Sequence, residues 1–329
     1  MFGNRGNGGG RGNGTFFPVS PLLLFPDVMG TFSVFLRQGK DFVLYTRSGE
    51  RFSERHRQNL HASGVTEVYV QTEDKPDFDR YVEQNLGRVL DNEELTPSDR
   101  SRVLYTAAED VLEEVFDTRL PAAARGRQVE RIGGIVRQSL DFLADERTLK
   151  AMAPFIRHDY KTYTHSLHVF LYTVSLLIGE GYAGEELYEV GLGAMLHDLG
   201  KARIPLTVLN KKGTLNDQER DVIRTHPLQG VAMCANLEVS QLTFNCILFH
   251  HERMDGGGYP SGIGEDDIPV PVRAITLCDV YDALTSKRPY AEARTPFEAL
   301  TVMRYDMKGH FDMAVFKRFV EMLSGADIA

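Results

Sequence analysis

The sequence predicts a mainly α-helical protein: a helical C-terminal bundle with a metal site in its core, preceded by a small α+β N-terminal domain and a helical linker. Two observations predict this class. From about residue 96 onward, apolar residues recur at helical spacing in segment after segment, whereas residues 15–95 contain short stretches rich in Val and Tyr that are separated by turns. Histidines and aspartates also interrupt the apolar C-terminal helices, where burying an uncompensated polar group is costly.

The chain divides by composition into four segments. Residues 1–14 form a Gly-rich tail that we expect to be disordered. Residues 15–95 are predicted to be a small α+β regulatory domain: "GKDFVLYTRSGERF" carries a strand, a turn at Ser48-Gly49 and a returning strand, "SERHRQNLHAS" a helix, and "GVTEVYVQT" another strand. Residues 96–150 are predicted to be a helical linker, and 151–329 a helical domain with one loop-rich break.

Composition excludes several classes of function. The 329 residues carry a formal net charge of −9, so the chain is not a binder of duplex nucleic acid, which requires clustered Lys and Arg. Three widely spaced cysteines provide neither a disulfide framework nor a CxxC zinc site, as expected for a reducing cytoplasm. The longest apolar run, "VFLYTVSLLIG", is too short to span a bilayer. We therefore expect a cytoplasmic protein with no membrane insertion.

Seven residues are the main candidates for a site, and all but His226 lie next to apolar helical sequence. Each one alone is most simply a core residue with a satisfied hydrogen bond, but the adjacent His-Asp and His-His pairs suggest a metal cluster when all seven are considered together. Imidazoles bind first-row transition metals, and a carboxylate can bridge two of them. Two such ions clamp a phosphoryl group and activate water as the nucleophile. The candidates are His165, His197, Asp198, His226, His250, His251 and Asp279.

Four motifs carry a resemblance to a known family: "HDLGK" at 197–201, "HP" at 226–227, "HHERMDGGGYP" at 250–260 and "DVYDALTSKRPY" at 279–290. Residues 151–329 resemble the HD-GYP family of bacterial cyclic di-GMP phosphodiesterases. The resemblance implies an HD-type helical fold and hydrolysis of cyclic di-GMP to pGpG, with a second cut to GMP left open. It also favours iron or manganese as the two divalent ions, although nickel, cobalt and zinc suit the same donors.

The resemblance also implies substrate contacts. Lys201, one helical turn after His197, would present its ammonium to a phosphate oxygen and offset charge during catalysis, as in the family. Arg288 matches a family arginine that binds phosphate, whereas Ala291 occupies a place where the family often has another basic residue; Arg294 could replace it. Tyr259 and its glycine-rich loop would form a wall of the substrate cleft, and the family uses this loop for partner contacts as well.

Residues around the predicted ligands have less certain roles. Asp282 lies three residues after Asp279 and is predicted to orient a ligand histidine, although a capping or surface role fits equally well. Asp255 and Glu252 are interpreted as structural or supporting residues. His168 and His310 are interpreted as residues that do not bind metal.

Lys161 bears on the number of metal ions. It lies four residues before His165, at a place where some family members carry a glutamate that binds a third ion. A charged lysine has no lone pair for a metal, so the sequence predicts two ions. The Lys161 amine would stand near substrate phosphate or in solvent.

Two other functions stay open: a sensor that binds a cyclic dinucleotide without cutting it, and a hydrolase of a different cyclic dinucleotide. A homodimer and signalling partners also stay open.

Overall fold

The computed structural model describes residues 15–28, 30–117, 122–156, 161–287, 293–326 and 328, with side chains 122–124 and 146 excepted. It divides the chain into two compact units, residues 1–96 and 97–329. The predicted disordered tail, residues 1–14, lies outside the described residues.

The first unit is built on a four-stranded antiparallel sheet. Its strands are β1 (Phe16–Val19), β2 (Val34–Gln38), β3 (Asp41–Thr46) and β4 (Val68–Gln71), in the order β1-β4-β2-β3. Its helices are α1 (Glu54–Ala62), α2 (Lys75–Gln84) and α3 (Leu86–Leu90). The β-branched Val34, Val68 and Val70 are buried, as are Phe78 and Tyr81 on α2, so one face of the sheet and this helix contribute to a small core.

The hairpin of this unit differs from the sequence prediction. β3 pairs with β2, which precedes it across a turn at Gly39 and Lys40, and Gly39 has a φ of 66°. No strand returns after Ser48-Gly49 in this described stretch, apart from an isolated bridge at Arg51. The reason is that Ser53 caps α1 by accepting a hydrogen bond from the His56 amide, which leaves too few residues for a strand. The predicted helix and the later strand are confirmed as α1 and β4.

The regular elements of the second unit, among its described residues, are helices. Its helices are α4 (Pro97–Phe116), α5 (Ala122–Leu143), α6 (Glu146–Met152), α7 (Thr162–Gly179), α8 (Gly184–Leu196), α9 (Leu206–Leu209), α10 (Asp217–Arg224), α11 (His226–Cys234), α12 (Gln241–Phe249), α13 (Val270–Thr285), α14 (Pro296–Tyr305) and α15 (Met313–Gly325). Short 3₁₀ helices at Leu199–Arg203 and Glu265–Asp267 connect some of them. The fold class predicted from the sequence, mainly α with a small α+β domain first, is confirmed.

Helix α7 is the centre of this bundle. Every residue from 164 to 174 is buried, which is the pattern of a helix surrounded by other helices on all sides. It packs against α4, α8, α13 and α15. Helices α4, α5 and α6, from the segment predicted to be a linker, pack on one another and on α7 or α8 within this second unit. They contribute to its core as well as connecting it to residues 1–96.

The apolar helices belong to this packed core. In the part of the chain that the structure describes, none combines the length and hydropathy needed to cross a bilayer.

Candidate metal centre

The seven predicted ligands reach one region of the second unit from five helices or their ends. His165 lies on α7, His197 and Asp198 follow α8, His226 begins α11, His250 and His251 follow α12, and Asp279 lies on α13. Six are buried and His251 is half-buried. Residues up to 114 positions apart in the chain are therefore brought together by the packing of α7 against α8 and α13.

These residues form two adjoining groups, each with its ligand atoms within 4.8 Å of one another. The first contains Asp198, His226, His250 and His251, and the second contains His165, His197 and Asp279. All seven sequence-predicted ligands thus meet in the structure. Their role in binding metal remains a proposal.

The Asp198 carboxylate lies between the two groups. Its Oδ1 is 3.3 Å from His226 Nε2, in its own group. Its Oδ2 is 3.5 Å from His197 Nε2 and 3.7 Å from His165 Nε2, both in the other group. One carboxylate with an oxygen toward each group has the geometry needed to bridge two ions.

Three of the histidines have a defined ring orientation. In each, Nδ1 donates a hydrogen bond to a backbone carbonyl three residues earlier: His197 to Ala194 at 2.7 Å, His226 to Ile223 at 2.8 Å and His250 to Ile247 at 2.8 Å. Because the carbonyl can only accept, Nδ1 carries the proton, and Nε2 keeps its lone pair in the neutral ring. Each lone pair is therefore available to a metal ion, and the backbone bond orients it.

Burial keeps several of these imidazoles neutral. It lowers the pKa of His226 to about 3, against the opposing charge of Asp198. It lowers the pKa of His251 to about 4, against the opposing charge of Asp279, and it holds that of His250 well below its usual value, with the neighbouring His251 adding to the effect. At neutral pH these three rings are unprotonated, the form in which histidine binds a metal.

The two carboxylates of the cluster remain charged despite burial. Burial alone would raise the pKa of Asp198, but the Lys201 ammonium and nearby imidazoles outweigh it and hold the pKa well below its usual range. Burial is likewise outweighed at Asp279, where the hydrogen bond with His165 and the neighbouring His251 imidazole lower the pKa. The site thus combines neutral nitrogen donors with anionic oxygen donors.

These donors fit divalent transition metals. Among the described residues, the buried atoms His197 Nε2 and Asp198 Oδ1 have no hydrogen-bond partner, although such groups are costly to bury unsatisfied. His226 Nε2 also lies 3.1 Å from His250 Nε2, and both are the lone-pair atoms of their rings. Cations bound in the two groups would accept electron pairs from these nitrogens and from the carboxylate oxygen, and would thereby satisfy all of these atoms.

Lys201 lies beside the cluster, in the 3₁₀ helix that follows Asp198. Its Nζ donates to Asp198 Oδ2 at 2.5 Å, and about 15% of its side chain is exposed. Its ammonium therefore faces both the cluster and solvent. A group in this position can offset the charge of a buried carboxylate and also reach an anion that enters from outside.

Asp282 contacts a predicted ligand, as the sequence suggested. Its Oδ2 accepts from His165 Nδ1 at 2.7 Å, and its Oδ1 accepts from His168 Nδ1 at 2.9 Å. Burial alone would raise the pKa of Asp282, but His168 and the hydrogen bond from His165 lower it well below its usual value. From the sequence, His168 was interpreted only as a residue that does not bind metal. The signal that could have found it is a matched spacing, since His165 and His168 on α7 face Asp279 and Asp282 on α13.

Glycines allow two loops to approach the cluster closely. A Cβ on Gly200 would lie 1.9 Å from the His226 carbonyl oxygen, so the turn after Asp198 can contact α11 only with glycine there. A Cβ on Gly258 would lie 2.5 Å from the Glu252 Cα. The buried Glu252 carboxylate accepts from the Ser261 amide at 2.6 Å and the Gly262 amide at 3.1 Å, so it supports the loop, as interpreted from the sequence.

The remaining candidates lie at different distances from the cluster. The Tyr259 ring stacks on His251, with the centroids 4.7 Å apart. Asp255 accepts from the Gly257 amide at 2.9 Å and pairs with Arg253, so both of these contacts lie within the loop. Lys161 precedes α7, is exposed and donates to the Tyr163 hydroxyl at 2.7 Å. Arg288 and Ala291 lie outside the described residues.

Residues 181–315 match the family model described as HD domain. This segment contains six of the seven predicted ligands; His165, on α7, precedes it.

Relatives with curated names support the resemblance predicted from the motifs. A cyclic di-GMP phosphodiesterase of Pseudomonas aeruginosa is 38% identical over 184 residues, which cover 56% of this chain and 44% of that protein. The cyclic di-GMP phosphodiesterase response regulator RpfG of Xanthomonas campestris is 39% identical over 131 residues, which cover 39% of this chain and 34% of that protein. A 3'3'-cGAMP-specific phosphodiesterase of Vibrio cholerae is 31% identical over 163 residues, covering 49% and 31%. The chain spans less than half the length of each of these relatives.

A solved structure confirms the fold of the chain. Bd1817, an HDG"Y"P protein from Bdellovibrio bacteriovorus, aligns with 94% of this chain and 100% of its own, with a TM-score of 0.63 and 18% identity. The HD-type helical fold predicted from the motifs is therefore confirmed.

The position of Asp198 between the two groups leads to a first prediction. Asp198→Ala should remove the carboxylate that lies between the groups and leave Lys201 without its counter-charge, so we expect Mn²⁺ affinity to fall by at least about 100-fold, the upper end of what loss of an outer-shell partner causes. Metal content after dialysis against buffered Mn²⁺ measures the loss, and circular dichroism checks the fold. Asp221→Ala, at an exposed residue of α10, is the matched control. Normal metal content in Asp198→Ala would show that Asp198 is not a ligand.

Proposed function

We propose that this chain is a metal-dependent phosphodiesterase that hydrolyses cyclic di-GMP to linear pGpG and, more slowly, pGpG to GMP. The observation that carries the proposal is the pair of adjoining groups of buried ligand atoms with the Asp198 carboxylate between them. Paired ion sites with a shared carboxylate are typical of enzymes that cleave phosphate esters. The names of the relatives identify the class of phosphate ester.

The residues of the chain divide the catalytic work in this proposal. Two divalent ions held by the seven ligands would supply Lewis acidity and make water nucleophilic near neutral pH. The donor set of imidazoles and carboxylates suits iron or manganese, and also accepts nickel, cobalt or zinc. Lys201 would donate to a non-bridging phosphate oxygen, where it offsets charge that grows in the transition state. Tyr259, stacked on His251, would form one wall of the cleft. Arg288 would bind the second phosphate of the cyclic dinucleotide. Asp282 would hold His165 in place.

The nucleotide is the least constrained part of the proposal. Relatives with cyclic di-GMP in their names and relatives named as specific for 3'3'-cGAMP match overlapping shares of the chain at similar identity. A hydrolase of another cyclic dinucleotide is therefore the second candidate. A sensor that binds without cutting is the third, and the intact set of seven clustered ligands argues against it.

One assay separates the three candidates. We expect protein loaded with Mn²⁺ or Fe²⁺ to convert cyclic di-GMP to pGpG, with turnover of 3'3'-cGAMP and of a simple diester at least about tenfold slower, the discrimination that one or two lost polar contacts produce. Chromatography of the products measures this. Turnover of 3'3'-cGAMP alone would favour the second candidate, and tight binding without turnover would favour the sensor.

A variant tests the role of Lys201 in the same assay. Lys201→Gln should lower kcat by about 10²- to 10³-fold, the usual cost of removing one donor to a developing oxyanion. Turnover is expressed per bound metal ion, because Lys201 also contacts Asp198. Lys212→Gln, at an exposed lysine eleven residues further along, is the control. Equal kcat values for the two variants would exclude Lys201 from the chemistry.

The number of ions is a separate prediction, based on Lys161. The hydrogen bond to the Tyr163 hydroxyl raises the pKa of Lys161, so its amine stays protonated and offers no lone pair at neutral pH. We therefore expect two ions per chain and slow cleavage of pGpG, which should accumulate. Elemental analysis combined with anomalous scattering counts the ions. Three fully occupied positions would contradict this interpretation of Lys161.

Residues 15–95 are proposed to regulate the enzyme or to form a homodimer, acting through the helices that begin at Pro97. The unit is compact and α+β, unlike the helical unit that follows, and no ligand of the cluster comes from it. Deleting residues 1–95 should change the oligomeric state or shift kcat by at least severalfold. Analytical ultracentrifugation and the cyclic di-GMP assay measure the two properties. If the shortened chain matched the full chain in both, the regulatory role would be wrong.

Signalling partners that bind the glycine-rich loop remain part of the proposal as well.

A further inference from the structure

A row of hydrogen bonds extends from the metal centre to helix α4. Asp282 accepts from His165 Nδ1 at 2.7 Å and from His168 Nδ1 at 2.9 Å, one bond on each oxygen. The other nitrogen of His168, Nε2, is 2.8 Å from the hydroxyl oxygen of Tyr105. Three helices therefore share one polar row: α7 contributes the two histidines, α13 the aspartate and α4 the tyrosine.

The donors and acceptors in this row have a defined direction. A carboxylate only accepts, so both histidines donate to Asp282 from Nδ1. With the proton on Nδ1, the lone pair of the neutral tautomer lies on Nε2, where it can accept from the Tyr105 hydroxyl. His165 has its Nε2 on the far side, 2.9 Å from Asp279 and 3.7 Å from Asp198. The row thus ends at His165 Nε2, which lies beside Asp279 in the second group of ligands.

Burial makes the row stiff. His165 and His168 are about 1% exposed, as is Asp282, so water does not readily replace a missing partner. Ser286 adds a further donor to Asp282 Oδ2 at 3.3 Å. The Tyr105 ring lies against His168 and Phe155, with centroids 5.9 Å and 6.2 Å away, so its position does not depend on the hydroxyl alone.

We infer that Tyr105 and His168 are positioning residues of the metal centre. They hold the Asp282 carboxylate in the orientation that points His165 Nε2 at a metal ion. The inference rests on the proposed metal centre and goes beyond it, because neither residue is a ligand. It assigns a function to a histidine on α7 that does not reach the cluster, and to a tyrosine on the first helix of the second unit.

Two substitutions at His168 separate its two contacts. In His168→Asn, the side-chain amide nitrogen can occupy about the place of Nδ1 and still donate to Asp282, but the contact with Tyr105 is lost. His168→Leu loses both contacts. We expect His168→Leu to weaken Mn²⁺ binding by about 10-fold or more, in the range for lost outer-shell partners, and His168→Asn to stay within about threefold of the unmodified chain.

Tyr105→Phe tests the outer end of the row, because it removes the hydroxyl and keeps the ring. It should weaken Mn²⁺ binding by about 3- to 10-fold, less than the loss of a group in direct contact with a ligand. In the His168→Asn background the same substitution should have no effect, since Nε2 is absent. This non-additivity is the signature of an effect transmitted through His168. Tyr188→Phe, on α8 and outside the row, is the control.

The experiment uses the full chain and measures Mn²⁺ affinity by titration in a chelator buffer, with the melting temperature of the metal-free protein recorded for each variant. A role limited to packing would lower the melting temperature and leave the affinity unchanged, or would make the Tyr105 and His168 effects additive. Either result would overturn the inference. If the protein binds Mn²⁺ as expected but cleaves no cyclic dinucleotide, the proposed function fails and the inference stands. If the unmodified chain binds no Mn²⁺, the metal centre fails and the inference fails with it.

Discussion

A buried negative charge is the constraint on which this site depends. Asp198 is about 1% exposed in the middle of a helical bundle, where an uncompensated carboxylate would be severely destabilising. The Lys201 ammonium is its main compensation and opposes the effect of burial on its pKa. The three histidines whose Nδ1 atoms donate to the carbonyls of Ala194, Ile223 and Ile247 also complete the ends of helices. Each carbonyl belongs to the last turn of α8, α10 or α12, where no amide of the same helix is available. One contact thus completes a helix end, fixes a ring tautomer and points Nε2 at the cluster.

Placing ligands at helix ends has a steric consequence. The chain must turn immediately after His197-Asp198 and after His250-His251, while neighbouring helices approach closely enough for their side chains to meet. This explains why glycine occupies the tightest points. At Gly200 the neighbouring backbone lies where a Cβ would be, and at Gly258 the loop passes over Glu252. Gly200 and Gly258 are therefore positions of close backbone approach, and Glu252 holds the loop that contains Tyr259.

The sequence predicted the members of the cluster better than the contacts around them. Helices were predictable because periodicity is local, and the seven clustered residues were predictable because the His-Asp and His-His pairs are unusual in apolar sequence. His168 was not, since its function depends on α7 and α13 facing each other in a particular register, and nothing local distinguishes it from a core histidine. The hairpin was misplaced for a similar reason: Gly39 and Gly49 both carry turn signals, and the choice between them depends on where Ser53 starts α1. The segment of α4 to α6 was interpreted as a linker because amphipathic spacing does not identify the partner that a helix packs against.

The charges of the site also imply an order of binding. Asp198, Asp279 and Asp282 keep their negative charge because their pKa values are lowered, while burial keeps His226, His250 and His251 neutral at neutral pH. Lys201 is the cation whose contact with Asp198 is seen directly. A pocket with this balance attracts cations and repels phosphate, in a chain whose net charge of −9 offers no general attraction for anions. Affinity for a phosphodiester must then follow from the bound ions, which reverse the sign of the local field. In the proposed function, groups that orient the ligands, such as Asp282 beside His165, would therefore affect substrate binding through the ions.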